Sequence, residues 1–148
     1  MRGNMSANEM TDVFVDEVKL IKVELSGYLT EMMKTKIDHV DRSFFEKFGQ
    51  AVDRIYGTAA TMGYSEIADY CKAIKDVTYM ASRSDNMQGH KKVIRMMIEC
   101  IQNLEEMCSW IYKPKEITLH KNKLIAEVRR AERLNKQEFY SVDKKSCA

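Results

Sequence analysis

Residues 53–63 read Asp53-Arg54-Ile55-Tyr56-Gly57-Thr58-Ala59-Ala60-Thr61-Met62-Gly63. Ile55, Ala59 and Met62 continue a series begun by Phe45, Phe48 and Val52 at spacings of three and four, the repeat of one helix face. The helix is expected to begin near Asp38 and to stop before Gly63, since glycine accepts the left-handed conformation found just past a last turn. Gly57 stands in the helix interior, where glycine costs about 1 kcal/mol relative to alanine, and Gly49 stands about two turns earlier. Such a cost calls for compensation, from a neighbouring helix that approaches closely or from a partner that docks.

Outward from this stretch, every segment carries the same periodicity. Ser65 is placed to cap a third helix with Ile67, Cys71, Ile74, Thr78 and Ala81 on its stripe, and residues 82–86 read as a loop. The link between the second and third helices is so short that they must form an antiparallel hairpin. A fourth helix, about Met87 to Tyr112, presents Ile94, Met97, Ile101, Leu104, Cys108 and Ile111. It stops at Lys113-Pro114, because the residue before proline is pushed out of helical geometry. A first helix, about Asp12 to Lys34, carries Val18, Ile21, Leu25, Tyr28 and Met32. A fifth, about Glu116 to Phe139, has a thinner face around Leu124, Val128 and Ala131. Amphipathic helices of this length satisfy their stripes only by packing on one another. The expected fold is all-α: an antiparallel four-helix bundle with an additional C-terminal helix, one domain over 12–139, flanked by flexible ends at 1–11 and 140–148.

Composition agrees with a helical core. Of 148 residues 45% are hydrophobic and 31% charged, with one proline, six glycines and eleven methionines. A net charge of +2 gives no field directed at nucleic acid or membrane. The basic segment from Lys121 to Lys145 is interspersed with Glu127, Glu132, Glu138 and Asp143, and Glu127–Arg130 and Glu132–Lys136 pairs are expected on a solvated face. The cysteines, Cys71, Cys100, Cys108 and Cys147, have no CxxC spacing; most fall in apolar helical patterns and are expected to be reduced. No apolar run approaches the roughly 20 residues needed to span a bilayer, and residues 1–11 lack the apolar core of a signal peptide. A cytoplasmic protein is expected. Phe44, Phe45, Phe48 and Trp110 are expected in the core, with Tyr28 and Tyr70 reaching the surface through their hydroxyls.

The 53–63 stretch resembles the signature of histidine phosphotransfer (HPt) domains, in which a phosphoacceptor histidine is followed three residues later by lysine and four later by glycine. Gly57, Thr58, Ala59 and Met62-Gly63 occupy matching places, and Val52 and Ile55 match the apolar positions flanking the family's histidine. Ile67, Ala68, Cys71 and Ile74 resemble its next helix. The specific resemblance covers roughly Phe44 to Ala81. It implies an HPt-type bundle, but Asp53 stands at the histidine position and Tyr56 at the lysine position.

Those departures remove the family's chemistry. Phosphotransfer needs an imidazole nucleophile, and an aspartyl acceptor needs a divalent metal held by further acids. The helix neighbours of Asp53 are Gly49, Gln50, Tyr56 and Gly57, none of them acidic. His39, His90 and His120 lack the motif, have no ligand spacing for zinc, and are expected at the surface or at helix ends. No cofactor, metal or catalytic residue is expected, and the chain is not expected to be an enzyme. The resemblance implies instead a pseudo-HPt module that meets a receiver domain or a kinase-associated protein through a strip comprising Gly49, Asp53, Arg54, Tyr56, Gly57 and Ala60. The alternative is an HPt-like bundle reused for interaction or assembly outside any phosphorelay.

Overall fold

The computed structural model describes the backbone of residues 6–147 and the side chains of residues 6–140. Five α-helices are found there: α1 (Ala7–Met32), α2 (Ser43–Thr61), α3 (Ser65–Ser82), α4 (Met87–Trp110) and α5 (Pro114–Cys147), with a 3-10 turn at Ile37–His39 between the first two.

Local chemistry sets each boundary. α1 starts earlier than expected because Ser6 and Glu9 form a capping box, the Ser6 hydroxyl accepting from the Glu9 amide at 3.2 Å, which satisfies otherwise orphaned donors. α2 starts later than expected. Val40 is extended, and Asp41 Oδ1 accepts from the Ser43 amide at 3.0 Å and its hydroxyl at 2.7 Å. α2 ends as anticipated: Gly63 has φ 80°, its N–H donates to Ala60, and the Tyr64 N–H donates to Ala59, the paired bonds of a Schellman ending. Ser65 does not cap α3. It is the helix's first residue, and Tyr64, which has no side-chain capping bond, precedes it. Asn86 caps α4, accepting from the Gln88 and Gly89 amides. Pro114 opens α5, where its missing N–H costs nothing. That helix departs from helical geometry at Phe139 (φ −121°, ψ 20°), the residue at which the sequence reading ended it. The expectation of a flexible tail falls largely on residues 141–148, whose side chains lie outside the described set.

Pairs of touching residues give the topology. Tyr64 meets Phe14 while Phe44 meets Tyr28, so α1 and α2 run antiparallel. Tyr112 meets Asp12 while Glu105 meets Lys22, so α1 and α4 do as well. Tyr70–Asn103 and Ala81–His90 set α3 against α4 in the same sense. The helices alternate in direction around a four-membered ring. α5 lies outside it on α3 and α4, antiparallel to α4 through Lys123–Glu106 and Lys92–Glu138.

The core runs through all five helices. Phe14, Phe45, Phe48, Ile55, Ile74 and Met97 are among its fully buried side chains. The expected stripe of α4 is displaced: Val93, Met96, Cys100 and Met107 are buried beside Met97 and Leu104, whereas Ile94, Ile101, Cys108 and Ile111 are half-buried. α4 touches α1, α3 and α5, so its apolar face is wider than a single stripe. Tyr70 does not reach the surface; its hydroxyl is buried and accepts from Asn103 Nδ2 at 2.9 Å. Trp110 is core as expected, stacked on His120 at 5.2 Å. His90 is buried, its Nε2 2.9 Å from the Ala81 carbonyl oxygen. Glu127 pairs with Arg130 at 2.9 Å, but Glu132 and Lys136 form no pair and instead line the groove between α3 and α5.

Cys71, Cys100 and Cys108 are free thiols. Burial pushes the Cys71 thiol well above its ordinary value and that of Cys100 up to about 12, and the thiolate is the reactive form. Native protein is therefore expected to leave Cys71 and Cys100 unmodified by an alkylating reagent that labels both after denaturation. Peptide mass spectrometry reads the difference, and labelling of either in native protein at the denatured rate would contradict this packing.

Candidate functional site

The strip read from the sequence divides into an inward and an outward part. Gly49 is buried against α3, and a Cβ built on it would lie 2.5 Å from Thr78 Oγ1 and 3.4 Å from the Lys75 carbonyl oxygen. Its glycine serves close approach of α2 to α3, so its assignment to a docking surface is corrected to internal packing. Tyr56 is half-buried and packed against the core, which leaves only part of its ring for a partner. Gly57 differs: a Cβ there would meet nothing within 4 Å. Arg54, Gly57, Ala60 and Thr61 are exposed.

Two ion pairs border this face. Asp53, half-buried, reaches across the hairpin to Lys75 Nζ at 3.2 Å, and with Glu46, Gln50 and Tyr79 the two line a shallow cavity of about 210 Å³. Arg54 reaches the other way, its guanidinium donating to Glu24 Oε1 of α1 at 2.6 Å. Lys75 escaped the sequence reading, which considered only neighbours within α2. The signal was present: in a hairpin that turns at Gly63-Tyr64, residues about equidistant from the turn face each other, and 53 and 75 are such a pair. Asp76 likewise lies near enough for the Asp53 charge to raise its carboxyl, although desolvation is the larger cause of that rise.

The Arg54 guanidinium, and secondly the Tyr28 hydroxyl, hold the Glu24 carboxyl below its ordinary value. A carboxyl depressed in the folded state contributes stability above its unfolded value, and that contribution is lost as pH falls through the folded value. The pair is substantially exposed, so the contribution is about 0–1 kcal/mol. Arg54→Ala is expected to return Glu24 towards an ordinary carboxylate titration, read by NMR of its side-chain carboxyl. An unchanged titration would show that Arg54 does not hold it.

No family model, curated protein or solved structure matches the chain. Among the described residues no three His, Cys, Asp or Glu side chains are grouped to hold a metal ion, and no helix is long and apolar enough to cross a membrane. The histidines are dispersed: His39 stands beside Asp38, His90 under Ala81, and His120 between Trp110 and Glu116. The exposed part of α2 offers a carboxylate and a guanidinium, each with its partner, on either side of a glycine with open space above it.

Proposed function

We propose that the chain is a pseudo-HPt signalling module, an HPt-type bundle that binds receiver-type or other two-component partners through the outer face of α2 without relaying phosphate. The observation that carries this reading is Gly57. A glycine in a helix interior is disfavoured by about 1 kcal/mol, and with open space above it no neighbouring helix requires its small size. A partner backbone or side chain that approaches α2 closely would. The HPt-like order of Gly57, Thr58, Ala59 and Met62-Gly63 supports the same reading, as does the exposure of Arg54, Ala60 and Thr61 around the glycine.

Asp53 stands where the family's histidine would be, and its ion pair with Lys75 counts against its acting as a phosphohistidine mimic, because the pair neutralises the charge a mimic would offer. The partner is accordingly expected to read the shape of the face rather than a free anion at position 53. Titration of the protein with receiver domains of its source organism tests this. Gly57→Trp and Asp53→Arg are each expected to weaken binding at least about tenfold, a loss of about 1.4 kcal/mol, while Asp53→Asn changes it little. Absence of binding by every receiver, or binding unaffected by Gly57→Trp, would turn the function towards the second reading, an interaction module outside any phosphorelay. The outer side of α1, where Val13, Leu20 and Val23 are exposed, favours that second reading.

A further inference from the structure

The outer face of α1 is apolar where a solvated helix would be polar. Leu20 and Val23 are 75% and 73% exposed and Val13 is 57% exposed. All three lie with Gly27 on the side of the helix opposite Val18 and Leu25, which are buried in the core. Nothing lies within 4 Å of a Cβ built at Gly27. Asp16 is exposed among these residues and forms no ion pair among the described residues, and Glu9 extends the acidic character towards the N-terminus. Lys19 sits at the edge of the face.

The outer face of α5 has the complementary character. Leu119 is 71% exposed and lies about two turns from exposed Ala126 on the same side of the helix. Around them Lys115, Arg129 and Arg133 are exposed, and none has an ion-pair partner among the described residues. One helix thus presents an apolar strip with acidic side chains beside it, and another presents an exposed leucine among cations that have no ion-pair partner among the described residues. They cannot meet within one molecule. α1 packs on α2 and α4, α5 packs on α3 and α4, and α1 and α5 do not touch.

We propose that the outer face of α1 in one copy docks on the outer face of α5 in a second copy, giving head-to-tail self-association. Two different surfaces meet, so the contact is heterologous. Each added copy leaves one free face at either end, and growth continues unless the rotation closes a ring. Opposite charges around an apolar strip steer and register such a contact, and salt weakens it.

Sedimentation velocity from low-micromolar to near-millimolar protein, in low and in high salt, tests the proposal with two surface variants. Leu20→Lys spoils the α1 face and keeps the α5 face, and Arg133→Glu does the reverse. The wild type is expected to grow in mass with concentration, less in high salt, and each variant alone is expected to remain monomeric. Mixed in equal amounts, the variants are expected to form a one-to-one dimer that grows no further, because only one intact pair of faces remains. Circular dichroism and thermal melts of each variant confirm that the fold persists. A wild type that stays monomeric throughout would overturn the proposal. So would variants that associate as the wild type does, or a mixture that stays monomeric after both single variants have lost association. The last result would assign the α1 face to some other occupant, such as a second α1.

Discussion

Gly49→Ala is expected to destabilise the protein by about 1–3 kcal/mol, the usual cost of forcing extra volume into a packed site, whereas Gly57→Ala is expected to stabilise it by up to about 1 kcal/mol. The two glycines belong to the same helix, and the same added methyl meets opposite surroundings. At Gly49 the new Cβ would fall 2.5 Å from Thr78 Oγ1. That hydroxyl is buried and shares its one proton between the Ile74 and Lys75 carbonyl oxygens at 2.8 and 3.0 Å, so turning it away forfeits that bonding. The Lys75 carbonyl oxygen at 3.4 Å limits how far the helices can relax. At Gly57 the methyl enters open space and only improves helix propensity. Denaturant unfolding reads both signs, and Thr78→Ala in the Gly49→Ala background is expected to recover much of the loss. Equal effects at the two positions would remove the distinction on which the docking face rests.

Phe139→Ala is expected to cost about 3–5 kcal/mol, the range for deleting a buried phenylalanine ring. Phe139 is fully buried at the kink of α5, and its ring sits so close to Gly89 of α4 that a Cβ there would lie 2.7 Å away. Beside it, Asn86 Nδ2 donates to the Glu138 carbonyl oxygen at 2.8 Å, and Lys92 Nζ pairs with its carboxylate at 2.6 Å. The Asn86 that caps α4 therefore also holds α5. Loss of the ring should free the end of α5 before the remaining helices unfold, visible as early proteolysis near residue 139. A variant as stable and as protease-resistant as the wild type would show that α5 is an appendage rather than part of the domain.

The α2–α3 hairpin was legible because its information is local: an unbroken three-and-four spacing, then a glycine at the turn. The start of α1 was equally local, in the Ser6–Glu9 box, but the polar residues around it read as a flexible end. The core line of α4 was legible only in part, at Met97 and Leu104. Three helices cover α4, and Val93, Met96 and Cys100 form as plausible a continuation as Ile94, Ile101 and Cys108 until the neighbours are placed. For the same reason α5 looked peripheral, since the residue that accommodates Phe139 is a glycine on another helix. In the candidate site, Arg54, Gly57 and Ala60 are exposed, while Gly49 is taken by Thr78. Both glycines are identical as sequence. Only the placement of α3 separates one that admits a helix from one that leaves room outside.

Chemical-shift mapping of the isotopically labelled protein against a bound receiver domain is the most direct test of the proposed docking face. The account predicts that the amides of Arg54, Gly57 and Thr61 shift or broaden, and that those of Leu20 and Val23 on α1 do not. Perturbations confined to α1 or α5, with α2 silent, would contradict it.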